Sequence, residues 1–245
     1  MRRFPQSILS NLKYYVYLYV DPRDDTVFYV GKGTNNRAFA HLRSKSEQQK
    51  TKRIKQIQVA GLQPKIEILV HGLRDEATAM RIEASVIDLI GIENLTNLQK
   101  GYGSREYGRM STDQIAATYA AVKVDISEPA ILININKSYR YGITPGELYD
   151  ATRSAWRIGK RRLGAKYAFA VYQGVVQEVY EILEWYAADA TFNCRTIGQA
   201  NPSARRDRLE FIGRIASPNL RAKYVLNNVA HLMGPRYPLT YVNCQ

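Results

Sequence analysis

The groups able to do chemistry gather early in the chain. Across residues 14–42 (YYVYLYVDPRDDTVFYVGKGTNNRAFAHL), two tyrosine-bearing runs flank a polar turn, and Gly31-Lys32-Gly33 leads on to Arg37 and His41. A guanidinium keeps its proton and can hold two phosphate oxygens at once, so Arg37 suits an anionic substrate. Arg37 and His41 are four apart and share a face if residues 36–43 are helical. Gly31 and Gly33 let the backbone turn sharply beside a ligand. The GKG run is not a Walker A loop, because the GxxxxGK[ST] spacing is absent. Further on, Glu83 offers a carboxylate. By spacing alone, however, Glu83 reads as a helix-surface glutamate paired with Lys or Arg.

The elements that must position these groups follow from pattern. Residues 14–20 are aromatic and β-branched and suit a strand. Asp21, Pro22, Asp24 and Asp25 break it with turn chemistry, and residues 26–30 form the second strand of a hairpin. Ser46 and Gln49 suggest a capping box ahead of a helix that reaches Ala60 and stops at Gly61. From Arg37 to Lys65 there are eight Lys/Arg and one acid, Glu47, which reads as a phosphate-tracking surface or, more plainly, as a solvated helix face. A third strand is predicted over residues 65–71. A helix over residues 75–90 carries an apolar stripe of Ala79, Ile82, Val86 and Leu89 or Ile90, with Glu83 at its border.

At these residues the chain resembles a GIY-YIG nuclease domain. Tyr15-Val16-Tyr17 stands where that family has its first tripeptide, and Tyr29-Val30-Gly31 where it has the second. Tyr15 replaces the usual glycine. The family then expects an arginine, often a histidine one helical turn later, a glutamate on a helix and an asparagine. Arg37, His41, Glu83 and Asn97 come in that order. The resemblance covers residues 14–99 and implies hydrolysis of a phosphodiester with one divalent metal, Mg²⁺ or Mn²⁺, held by Glu83. It implies that Tyr17 is the general base, which needs its pKa brought down by roughly three units from ~10. Tyr29 shares the water network or positions the phosphate. Arg37 contacts the scissile phosphate, Lys32 donates to phosphate or nucleophile, and His41 is a proton shuttle or phosphate donor. Gly31 and Asn97 support the geometry.

Composition bounds the rest. The 245 residues carry a net charge of +13. Residues 1–110 hold 18 Lys/Arg against 11 Asp/Glu and the remainder 17 against 11, so both halves favour an anionic partner, most simply nucleic acid. Cys194 and Cys244 are too few and too far apart for a disulfide framework or a zinc site. No apolar run is long enough for a membrane span, and the basic start lacks the apolar region of a signal peptide. The expectation is a soluble, cytoplasmic protein.

The predicted fold class is α/β plus α+β: a small GIY-YIG-type sheet with flanking helices, then a compact β-barrel-like domain with helices. The domains are 1–104 (nuclease), 105–127 (a linker with a short helix capped by Ser111 and Gln114) and 128–245 (recognition). The last has strands over residues 129–136, 166–172, 175–183, 209–215 and 237–243. Its helices start at Pro145, reaching Ile158, and at Pro218, reaching Met233. It weakly resembles a PUA-like base-recognition domain. Candidate nucleic-acid contacts are Arg43, Lys45, Lys52, Arg53 and Lys55 in the first domain and Trp156, Arg157, Arg161 and Arg162 in the last, since aromatics beside arginines stack on bases and bind phosphates. The alternative for Trp156 and Trp185 is that they anchor the core. The reading is a metal-dependent endonuclease acting on double-stranded DNA, as monomer or homodimer. The last domain would choose the target, in restriction or defence and with modified bases among the candidates. The alternatives are a repair or branched-DNA nuclease, and a non-catalytic binder of DNA or RNA.

Overall fold

The computed structural model describes residues 3–44, 46, 48–192, 207–234 and 238–245, without the side chains of Arg43 and Arg105. It divides into two compact units, Met1–Arg109 and Met110–Gln245.

In the first unit a short helix, α1 (Gln6–Leu12), leads into β1 (Tyr14–Val20). The turn at Asp21 returns the chain as β2 (Val27–Gly33), antiparallel to β1. Then come α2 (Arg37–Ala40), α3 (Gln49–Val59), β3 (Lys65–Leu73), α4 (Glu76–Ile90) and α5 (Ser104–Tyr107). The sheet order is β2-β1-β3, so β1 is central. Side chains alternate across a strand, and YYVYLYV uses that alternation fully. Tyr15, Tyr17 and Tyr19 pack with Ala38, Ile54 and Ile57 on one face. Val16, Leu18 and Val20 pack with Ala79 and Ile87 of α4 on the other. The tyrosine face is thus covered by α2 and α3, and the aliphatic face by α4.

Asp75 caps α4 as a local stop-and-start signal should, accepting the Thr78 N–H at 2.7 Å. Gly91 ends the helix at φ 90°. The capping box expected at Ser46 and Gln49 does not form. Gln48 is the N-cap, and the Ser46 hydroxyl instead lies 2.9 Å from that of Thr51. Residues 36–43 do turn helically, but as one α turn followed by a 3-10 turn over His41–Arg43.

The second unit contains α6 (Thr112–Ala120), β4 (Ala130–Asn134), α7 (Pro145–Arg153), β5 (Tyr167–Tyr172), β6 (Val175–Ala187), β7 (Leu209–Ile215), α8 (Pro218–Tyr224) and β8 (Leu239–Val242). Full capping boxes open α6 at Ser111–Gln114 and α7 at Thr144–Glu147. The sheet order is β7-β6-β5-β4-β8, with only the β4–β5 pair parallel. α8 contributes Tyr224 to the core on one face, and α7 contributes Ala151 to that on the other. The mixed α/β plus α+β class is therefore the observed one. The barrel expected of this half does not close among the described residues: β7 and β8 are its two edges, and nothing described pairs them. α7 stops at Arg153, not Ile158, because the chain leaves to pair Trp156 with Leu209. α8 stops at Tyr224, not Met233, because Leu226 turns at φ 66° to donate its N–H to the Val176 carbonyl. Tyr237 lies outside the described residues. No helix of the described residues is long and apolar enough to cross a membrane.

Candidate active site

The site is built on the outer edge of β2. Among the described residues that edge has no strand beside it, yet its main-chain groups need partners, and they find them in residues far along the chain. Thr96 donates its N–H to the Phe28 carbonyl at 2.7 Å. The Asn97 amide clamps Val30 from both sides, with Oδ1 accepting its N–H at 3.1 Å and Nδ2 donating to its carbonyl at 2.8 Å. Next along the same edge, the Lys32 N–H donates to Glu83 Oε1 at 3.2 Å. The expectation that Asn97 fixes geometry therefore has a concrete contact. Asn97→Ala leaves both Val30 groups unmatched and is expected to cost about 2 kcal/mol of stability, read as a lower thermal midpoint.

Glu83 is half-buried on α4 and makes no ion pair among the described residues. Burial pushes its carboxyl above the usual range, with the Lys32 charge and main-chain N–H pulling it back. The Lys32 ammonium itself pairs with Glu76. Tyr29, Glu83, Asn97 and Lys100 line one recess of about 380 Å³. Lys32, Gly33 and Arg37 line a second, of about 570 Å³. Of the predicted residues, Tyr29, Glu83 and Asn97 thus line the first recess and Lys32 and Arg37 the second, whereas Tyr17, Gly31 and His41 line neither.

Tyr17 pairs in register with Gly31, and Tyr19 with Tyr29. The Tyr17 and Tyr29 ring centroids are 6.1 Å apart. Tyr17 is fully buried, and burial, reinforced by Tyr29 and Tyr19, drives its phenol pKa sharply up, with Arg37 opposing. That is the reverse of what a base needs at neutral pH. Tyr29 also rises, through burial and then the Glu83 charge.

Arg37 is exposed at the start of α2. Two tyrosine hydroxyls place this turn. Tyr15 Oη donates to the Asn35 carbonyl at 2.8 Å and accepts the Ala38 N–H at 3.1 Å. Tyr19 Oη donates to the Ala38 carbonyl at 2.6 Å. Tyr15, which departs from the family's glycine, thereby anchors the arginine's helix. His41 meets the Tyr29 ring edge-on, centroids 6.0 Å apart. Burial, then the charges of Lys50 and Arg37, lower its pKa to about 4, so its imidazole is neutral at pH 7.

One residue that the sequence reading passed over lies in the Glu83 recess. Lys50 is only 6% exposed, its ammonium 4.1 Å from the centroid of Tyr29. Burial first, and Arg37 second, lower its pKa to about 8. A signal was present: Lys50 sits four before Ile54 and seven before Ile57, on the apolar stripe of α3.

The other basic candidates divide. Lys52 and Lys55 are exposed on α3. Arg53 is committed to the buried Asp21, donating from Nε at 2.8 Å beside Arg23, and these partners hold Asp21 well below the usual carboxylate range. Lys45, and the Arg43 side chain, lie outside the described residues. In the second unit Trp156 is half-buried against the core and donates Nε1–H to the Thr152 carbonyl at 2.7 Å, and Trp185 packs edge-on against Phe211. Both anchor the core. Arg157 is exposed. Arg161 lies over the Tyr241 ring and donates to the Cys244 carbonyl at 3.2 Å. Arg162 donates to the Gly159 carbonyl.

A three-stranded sheet whose first hairpin bears paired tyrosines, with an arginine helix and a glutamate helix around β2, defines a GIY-YIG-type domain of a nuclease family. The comparison with protein families agrees: residues 14–122 match the LEM-3-like GIY-YIG domain, which supports a GIY-YIG nuclease domain in the N-terminal part of the chain. The match runs past Arg109 and takes in α6. No curated protein and no solved structure matches the chain.

Proposed function

We propose that this protein is a metal-dependent endonuclease that hydrolyses DNA phosphodiester bonds. The observation that carries the reading is Glu83: a half-buried carboxylate, tethered by one main-chain N–H and paired with no cation, in a recess beside Tyr29 and Asn97. A lone hard oxygen donor of this kind fits Mg²⁺ or Mn²⁺, which retain water and need few protein ligands. When bound, such an ion supplies Lewis-acid charge and lowers the pKa of attached water.

The chain's own residues do the rest. Arg37 holds phosphate oxygens through its guanidinium. Tyr17 and Tyr29 orient the attacking water. At neutral pH neither phenol is ionised, whereas His41 is uncharged against Tyr29 and can accept a proton passed from that network. Lys52 and Lys55 follow the backbone of duplex DNA. The second unit, residues 110–245, selects the target by sequence, structure or base modification, with Arg157 as its exposed candidate contact. A role in restriction or defence suits this plan. One such site per chain cuts one strand at a time, so a monomer nicks and a dimer is needed for concerted double-strand cleavage.

Supercoiled plasmid incubated with the protein and Mg²⁺ tests the reading. Nicked circles are expected first and linear DNA later, with no cleavage in EDTA. Plasmids carrying different base modifications should differ in rate if the second unit reads modification. Binding of DNA or RNA with no cleavage in Mg²⁺ or Mn²⁺ on any of these substrates overturns the reading in favour of a non-catalytic binder.

A further inference from the structure

Lys50 is an anomaly of electrostatics. An ammonium strongly prefers water, and burial is tolerated when a carboxylate sits beside it. Among the described residues no carboxylate pairs with Lys50. Glu83 lines the same recess but makes no ion pair with it. Lys50 is the second residue of α3, where the helix dipole presents positive charge and disfavours a cation. The Arg37 charge adds to this. Against these three unfavourable effects stands, among the described residues, the face of Tyr29 at 4.1 Å, a cation–π contact. The stripe neighbours Ile54 and Ile57 are fully buried, so an apolar side chain at position 50 would serve the fold better. A buried cation that weakens its own fold, at a polar recess, fits an anion that arrives later.

We propose that Lys50 is a substrate-binding residue that donates to a non-bridging oxygen of the phosphodiester seated in the Glu83 recess. This rests on the nuclease reading and adds a cation to it: Arg37 lines the neighbouring recess, and Lys50 serves the one that contains the carboxylate. The ligand class is a phosphate anion. The ammonium supplies charge without proton transfer, so no bond changes at Lys50.

The test uses the full chain and Lys50→Met, which keeps the aliphatic stem, with Lys50→Ala as a second variant. Inorganic phosphate is the probe in thermal unfolding, and supercoiled plasmid with Mg²⁺ is the probe in cleavage. Lys50→Met is expected to raise the midpoint of the free protein by about 4 °C. It should also abolish the upward shift that phosphate gives wild type and slow nicking by about 100-fold, the usual effect of losing one donor to a developing phosphate charge. A lower midpoint in both variants, with the phosphate shift retained, overturns the proposal and makes Lys50 a structural lysine. If wild type cleaves no DNA, the nuclease reading fails alone, because the midpoint and phosphate results still decide whether Lys50 binds the anion. If wild type and Lys50→Met cleave equally, the proposal fails and the nuclease reading stands.

Discussion

Glu83→Gln is expected to slow plasmid nicking by at least about 1,000-fold while leaving the fold intact. The amide has the shape of the carboxylate, and its oxygen can still accept the Lys32 N–H that holds the side chain at 3.2 Å. What disappears is the negative charge, and with it the proposed hold on a divalent cation, an ion that supplies several kcal/mol of charge stabilisation in phosphoryl chemistry. Stability should move the other way. Burial raises the Glu83 carboxyl above its ordinary range, so the folded state binds a proton more readily than the unfolded one. Such a group weakens the fold at pH values above its folded pKa, and the penalty fades as pH falls through the range between the two pKa values. Removing the charge is therefore expected to raise the midpoint slightly at pH 7. Mg²⁺ or Mn²⁺ should stabilise wild type and not the variant. DNA binding without metal should stay within about twofold, because on the proposed reading Arg37, Lys52 and Lys55 hold the backbone and contribute charge independently of Glu83. An active Glu83→Gln would remove Glu83 from the mechanism.

What the sequence disclosed was whatever is written locally. The first hairpin is legible because aromatic and β-branched runs flank a turn rich in aspartate. The helix starts at Glu76, Thr112 and Pro145 are legible because Asp75, Ser111 and Thr144 each cap within one turn. The α3 start was misplaced because the Ser46 hydroxyl pairs with that of Thr51, in the first turn of α3 itself, and so does not cap the helix. α8 was overextended because nothing in its own residues announces that Leu226 will pair with Val176. The same holds for the site. The spacing of Arg37 and His41 showed only a shared helix face, and their roles came from the resemblance; the clamp of Asn97 on Val30 joins residues 67 apart, and only the folded β2 edge shows why both Asn97 and Glu83 come there. Lys50 was hidden by company: among eight cations it looked like another solvated charge, and its register with Ile54 and Ile57 was the distinguishing mark.

Gly31→Ala should damage activity severely, though less than the loss of Glu83, for a reason of space alone. A Cβ at Gly31 would lie 2.7 Å from Tyr17 Cζ, 2.8 Å from Tyr17 Oη and 2.8 Å from Tyr29 Cε1. All three are well inside van der Waals contact. Tyr17 has little room to retreat, being fully buried between Tyr15 and Tyr19. Tyr29 can move only by disturbing its contacts with Lys50 and His41. Overpacking of this kind costs about 1–3 kcal/mol, which a domain of this size survives, so the expected result is a folded protein with a lower midpoint and nicking reduced by about 100-fold. Gly61→Ala is the contrasting control. Gly61 sits at φ 74° with nothing within 4 Å of an added Cβ, so alanine there strains the backbone by about 1 kcal/mol and should leave nicking unchanged. Nor should Tyr17→Phe rescue Gly31→Ala, because deleting the hydroxyl leaves the closest clash, that with Cζ, in place. Full activity in Gly31→Ala would mean that the two tyrosine rings can shift without consequence, and that their positions do not matter to the reaction.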